Sequence, residues 1–205
     1  PLKHENLVDL RKAVLEARAD LGIAFDGDGD RAVFVDETGE VIPADLLTAL
    51  FCEVILDRKL LGAGANAAML YGLRSSRVVP ETLRARGAVA IRSRVGHAFM
   101  KAVMRERGAC FGGELSGHYY FNFPSGYIGD DGAAAMMLLL EAIGARGLPL
   151  SKLWRPYRRY RQSGEINRRV ADVPETLARV RAAHAAGEAD ELDGLTVSYP
   201  DWWFN

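Results

Sequence analysis

Leu21-Gly22-Ile23-Ala24-Phe25-Asp26-Gly27-Asp28-Gly29-Asp30-Arg31 joins a short apolar run to a loop of alternating aspartates and glycines. The run is too short for an ordinary helix and reads as a buried strand, so the carboxylates stand at its C-terminal end, where open α/β sheets place their ligands. Before it, residues 6–19 carry Leu7, Leu10, Val14 and Ala17 at helical spacing, and Asp20 breaks that pattern. After it come a strand over 32–35, a turn at Glu37-Thr38-Gly39 and a short strand over 40–42; Pro43 then opens a helix over 44–56. A glycine-bearing link at 61–64 leads into an alternation of strands (67–71, 88–93, 109–112) and helices (80–86, 96–107), followed by a long aromatic and glycine-rich loop and a helix over 131–143. Such alternation predicts an α/β fold, with mixed sheets joined by crossover helices. From Pro149 the chain becomes arginine-rich, with a predicted hairpin over 157–163 and 165–170, a helix over 174–186 and a strand over 196–199. This reads as the start of an α+β C-terminal domain, and the boundaries fall near Val41 and Trp154.

Composition narrows the partners. Of 205 residues 49 % are apolar, and 26 Lys and Arg nearly cancel 27 Asp and Glu, so no summed field draws this chain to nucleic acid. The longest apolar stretch, residues 133–140, falls short of the ~18 residues that mark a membrane span, so no membrane partner is expected. Cys52 and Cys110 each sit in an apolar pattern and read as reduced core thiols, which points to the cytoplasm. The opening at Pro1 and the aromatic close at Asp201-Trp202-Trp203-Phe204-Asn205 read as a piece of a longer chain.

Four stretches carry chemistry. Asp26, Asp28 and Asp30, with glycines between them for a tight backbone, converge on one hard cation, for which Mg²⁺ is the natural guest; a plain solvated turn would leave three carboxylates repelling one another. An EF-hand is excluded even though Glu37 occupies the twelfth position, because Arg31 stands where the sharp turn needs glycine and strands flank the loop. In Gly112-Gly113-Glu114-Leu115-Ser116-Gly117-His118-Tyr119, a carboxylate, a hydroxyl and an imidazole recur at alternate positions, suited to adjacent hydroxyls of a polyol; the bland alternative is a polar turn with an incidental histidine. Ser93-Arg94-Val95-Gly96-His97 is a strand-to-helix turn where Gly96 and His97 are placed to meet an anion. Arg74-Ser75-Ser76-Arg77 offers cations and hydroxyls for a phosphate, or is simply a solvated turn.

In that order, and with Asp130-Asp131-Gly132 after them, these motifs resemble the α-D-phosphohexomutases, the phosphomannomutase/phosphoglucomutase group. The likeness extends over Pro1-Leu2-Lys3-His4-Glu5-Asn6-Leu7, Ser163-Gly164-Glu165-Ile166-Asn167 and the terminal Asp201–Asn205 segment. It implies a four-domain enzyme that interconverts hexose 1- and 6-phosphates of mannose or glucose through a phosphoserine and a bisphosphate intermediate. Residues 1–40 are then the end of domain two, 41–154 all of domain three, and 155–205 the start of domain four. Carried over by motif, Asp26, Asp28 and Asp30 hold one Mg²⁺ per active site. Arg31, His97 and His118 are the candidate catalytic residues; Arg74, Gly96, His97, Glu114, Ser116 and His118 bind substrate. Arg74 stands where many members have a lysine, and an arginine does not readily give up a proton. The family's serine loop and last phosphate loop are absent between Pro1 and Asn205, so the chain is expected to be an internal fragment, inactive without the missing domains of its own chain. Haloacid dehalogenase-like phosphatases resemble the same aspartate loop, with Asp26 as nucleophile and Asp28 as acid/base. That reading and a non-enzymatic metal-binding module are the alternatives.

Overall fold

The computed structural model describes residues 4–64 and 66–205, so residues 1–3 of the expected family lead-in lie outside the described part. The chain divides into two compact units, one ending at Tyr160 and the other spanning Arg161–Asn205.

In the first unit, α1 (Val8–Ala17) follows a 3-10 turn and buries Val14. Strands β1 (Leu21–Phe25) and β2 (Ala32–Asp36) form an antiparallel hairpin whose register, Phe25 opposite Ala32, leaves the acidic residues as the connecting loop. The strand expected over 40–42 shrinks to a single bridge between Val35 and Val41, because Pro43 already caps α2 (Ala44–Arg58). Helix α2 is apolar nearly all round and buries ten residues, as a central core helix must. Around it run β3 (Ala68–Gly72), α3 (Val78–Ala85), β4 (Val89–Ser93), α4 (His97–Arg107), β5 (Phe111–Gly113), β6 (Tyr119–Asn122), β7 (Ile128–Asp130), α5 (Gly132–Arg146) and α6 (Leu150–Trp154).

The sheet order is β4-β3-β5-β6-β7, parallel across the first three strands and antiparallel at β6 and β7. The last two strands lie within the stretch expected to be a loop. Tyr119, Tyr120 and Phe121 pair with β5 and are all buried, so a continuous apolar run replaces the alternation that marks a half-exposed strand. The rings of Phe34, Phe51, Phe111 and Tyr119 meet edge to face, with Phe51 to Tyr119 at 5.2 Å. Phe34 belongs to the hairpin, so the acidic loop is carried by the same core as the five-stranded sheet. A second tie lies at the opposite end of β2, where Trp154 Nε1 donates to Asp36 at 3.0 Å. Cys52 and Cys110 are free, and burial pushes both thiols up, Cys110 to about 11.

In the second unit, α7 (Val173–Ala183) accompanies an antiparallel sheet of β8 (Glu188–Asp190), β9 (Thr196–Ser198) and β10 (Trp203–Phe204). The predicted hairpin over 157–163 and 165–170 is not formed. Tyr157 ends a 3-10 turn of the first unit, and residues 158–172 are exposed with no regular structure. Ile166 and Val170 are exposed there, leaving no buried face to hold strands in register. No single helix among the described residues is long and apolar enough to cross a membrane.

Candidate active site

The parallel register sets Gly72 beside Ser93 and Tyr71 beside Gly113, so the turns after β3, β4 and β5 leave the same edge of the sheet. Those turns carry Arg74, Gly96 with His97, and Glu114 with Ser116 and His118. The acidic loop is stitched to the last of them. Ala32 N–H donates to the Gly117 carbonyl at 3.1 Å, and Arg31 and His118 form a backbone bridge.

Within the loop the aspartates differ. Asp26 accepts from the Arg31 backbone N–H at 3.1 Å and from the Arg31 guanidinium. Burial alone would raise its pKa, but the Arg31 bonds and charge and a contact with Asp30 hold it at about 2. Burial raises the pKa of Asp30; His118 opposes that shift, and the neighbouring carboxylates of Asp26 and Asp28 add to it. Asp30 places one oxygen 3.5 Å from His118 Nε2, while its Oδ1 is buried with no hydrogen-bond partner among the described residues. Asp28 is exposed. Each of the three offers an oxygen within 4.8 Å of the others. An all-oxygen set containing one buried, unsatisfied carboxylate oxygen is the donor chemistry of a hard divalent cation, and the residues fit Mg²⁺.

The sugar-loop candidates are ordered by one another. Glu114 is only 4 % exposed, and it accepts from Gly96 N–H at 2.9 Å and from the Tyr120 hydroxyl at 2.6 Å. The Gly96 amide is engaged by Glu114, which binds two sheet-edge turns into one piece. His118 stacks on Tyr120 with ring centroids 6.0 Å apart, and its Nδ1 lies 2.8 Å from Ser116 Oγ. His97, the first residue of α4, is exposed. Arg74 is half-buried on the turn after β3, and the buried Asp45 holds that turn by accepting from Ser76 N–H at 2.9 Å.

Three further groups escape sequence reasoning. Lys101 pairs with Asp130 at 2.6 Å, and the Asp130 carboxylate lies within 4.8 Å of ligand atoms of Asp30 and His118. Asp45 and Tyr120 are hidden in an apolar helix and an apolar strand, and only the Asp130-Asp131-Gly132 motif left a visible signal.

The comparisons agree with this architecture. The model for phosphoglucomutase/phosphomannomutase α/β/α domain III matches residues 43–160, and that for domain II matches residues 1–39. The phosphomannomutase of Methanocaldococcus jannaschii is 40 % identical over 204 residues, covering 100 % of this chain and 44 % of the relative. A crystal structure of a phosphoglucomutase/phosphomannomutase family protein from Burkholderia thailandensis superposes with a TM-score of 0.78 at 30 % identity, over 97 % of this chain and 42 % of that one. An Aspergillus fumigatus N-acetylphosphoglucosamine mutase, solved with GlcNAc-6P and magnesium, shares the fold at 15 % identity, with a TM-score of 0.54 over 82 % of this chain and 41 % of its own. The chain thus spans under half the length of these relatives. Two adjoining domain models in family order, over residues 1–39 and 43–160, place this chain in the phosphoglucomutase/phosphomannomutase family.

Proposed function

We propose that this chain supplies the metal loop and the sugar-recognition loop of a phosphohexomutase that interconverts hexose 1- and 6-phosphates in the cytoplasm, through a phosphoserine and a bisphosphate intermediate. The observation that carries this reading is the backbone stitching of the Asp26-Asp28-Asp30 loop to the Glu114-Ser116-His118 loop across the sheet edge. On this reading residues 1–40 end one domain, 41–154 form a whole one and 155–205 begin another.

Asp26, Asp28 and Asp30 hold one Mg²⁺, which when bound neutralises charge on a transferring phosphoryl group. Arg31, anchored by Asp26, presents its cation beside that group. His118 carries a proton on Nε2 toward Asp30 and the reacting centre, with Ser116 fixing the ring through Nδ1. His97, at the open N-terminal end of α4, and Arg74 bind the sugar phosphate, Arg74 as a fixed cation rather than a proton donor. Glu114 spends one lone pair of each oxygen on the protein and keeps the others for sugar hydroxyls.

A chimera tests this: this chain replaces the matching segment of the Methanocaldococcus jannaschii relative, and mannose and glucose 1-phosphates are assayed with Mg²⁺ and a trace of bisphosphate. Turnover is expected, and it should fall to background with Asp28→Asn. A folded chimera that binds Mg²⁺ and hexose phosphate yet turns over neither sugar overturns the proposal. Mg²⁺-dependent phosphatase activity of the 205-residue chain alone, lost in Asp26→Asn, would instead support the nucleophile alternative. Both Asp26 oxygens are engaged by Arg31, which leaves Asp26 poorly placed for attack.

A further inference from the structure

The turn from β7 into α5 is Asp130-Asp131-Gly132, and its residues do different work. Asp131 accepts from Ala134 N–H at 2.8 Å and caps α5. Asp130 pairs with Lys101. Gly132 acts outside its own element, donating its N–H to the Gly29 carbonyl at 3.0 Å. Gly29 lies between Asp28 and Asp30 with φ +78°, a left-handed conformation that favours glycine. The first N–H of a helix has no partner within the helix, so a carbonyl of the acidic loop takes that place. A Cβ at Gly132 would lie 2.7 Å from the Gly29 oxygen, 3.0 Å from Phe25 Cδ1 and 3.1 Å from the Arg31 oxygen. Two of those neighbours are loop backbone, which cannot swing aside as a flexible side chain does.

We propose that Gly132 is a positioning residue for the cation: through its N–H and its missing side chain it sets how Asp28 and Asp30 are presented, without touching the ion. The proposal rests on the reading of residues 26–30 as a cation loop. It places control of that loop in a helix of the neighbouring family domain, so a side chain at Gly132 changes cation affinity rather than the fold of α5.

The test is Mn²⁺ affinity of the 205-residue chain, measured by electron paramagnetic resonance of the free ion, under conditions where circular dichroism shows each variant folded. Gly132→Ala should bind about tenfold more weakly or worse, the usual scale for losing support behind metal ligands. Gly144→Ala, in the same helix with open space around its Cβ, should keep the wild-type affinity. Should Gly132→Ala not fold, a Mg²⁺ titration of the wild-type chain followed by amide NMR decides. The Gly132 resonance should move with the same midpoint as those of Asp28 and Asp30. Wild-type affinity in Gly132→Ala, or an unmoved Gly132 amide at saturation, overturns the proposal while the cation reading stands. A wild-type chain that binds no cation through Asp26, Asp28 and Asp30 overturns both.

Discussion

At the scale of single residues the site is a set of side chains whose orientation is borrowed from their neighbours. His118 illustrates this. Asp30 lies 3.5 Å from Nε2 and Glu114 3.6 Å from Nδ1, so a carboxylate stands at each ring nitrogen, and the Ser116 hydroxyl, 2.8 Å from Nδ1, favours the Nε2–H tautomer when it donates. Ser116→Ala should therefore shift the tautomer balance away from Nε2–H, read as a change in the two imidazole nitrogen shifts by long-range ¹⁵N NMR; unchanged shifts would rule out the Ser116 role. Asp36 makes the complementary case for stability. Burial opposes its ionisation, but bonds from the Thr38 hydroxyl and backbone, the Glu40 N–H and the Trp154 indole outweigh that and lower its pKa. A carboxylate with a lowered folded-state pKa stabilises the fold above its unfolded value of about 4, and that contribution is lost as pH falls through the folded value. Asp36→Ala should cost about 2–4 kcal/mol at neutral pH by leaving buried donors unpaired. It should also flatten the loss of stability below about pH 4, measured by urea unfolding across pH.

At the scale of elements, what matters is that the hairpin and the sheet share a core. Phe51 on α2 touches rings from β2, β5 and β6, and it is fully buried. Phe51→Ala should cost about 3–5 kcal/mol in chemical denaturation, and its cavity lies where the acidic hairpin meets the sheet. Trp154→Phe removes the indole donor to Asp36 and leaves a small void at a fully buried ring, a loss of about 1–3 kcal/mol. Most elements were legible because apolar spacing is a local signal: α2, β3, β4 and α4 lie close to where periodicity puts them. The misses have physical causes. Strands β6 and β7 are short and were masked by glycines and aromatics that read as loop. The predicted hairpin after Tyr157 had the composition of strands but no surface to bury.

At the scale of the whole molecule the chain is two units joined through an exposed, irregular, arginine-rich stretch. Limited trypsin digestion should cut first after Arg161, Arg168 or Arg169 and release a stable piece ending near Tyr160, identified by mass spectrometry. Early cuts inside α2 or the five-stranded sheet would contradict the division. The sequence by itself determined most of the helices and parallel strands, the α/β class and the grouping of charged and polar residues in each motif, since these rest on residues a few positions apart. Only the tertiary structure decided which loops meet, that Glu114 ties down Gly96, and that Gly132 abuts Gly29. Those contacts join residues far apart in the chain, and they exist because Phe34, Phe51 and Tyr119 pack the hairpin and the sheet into one core.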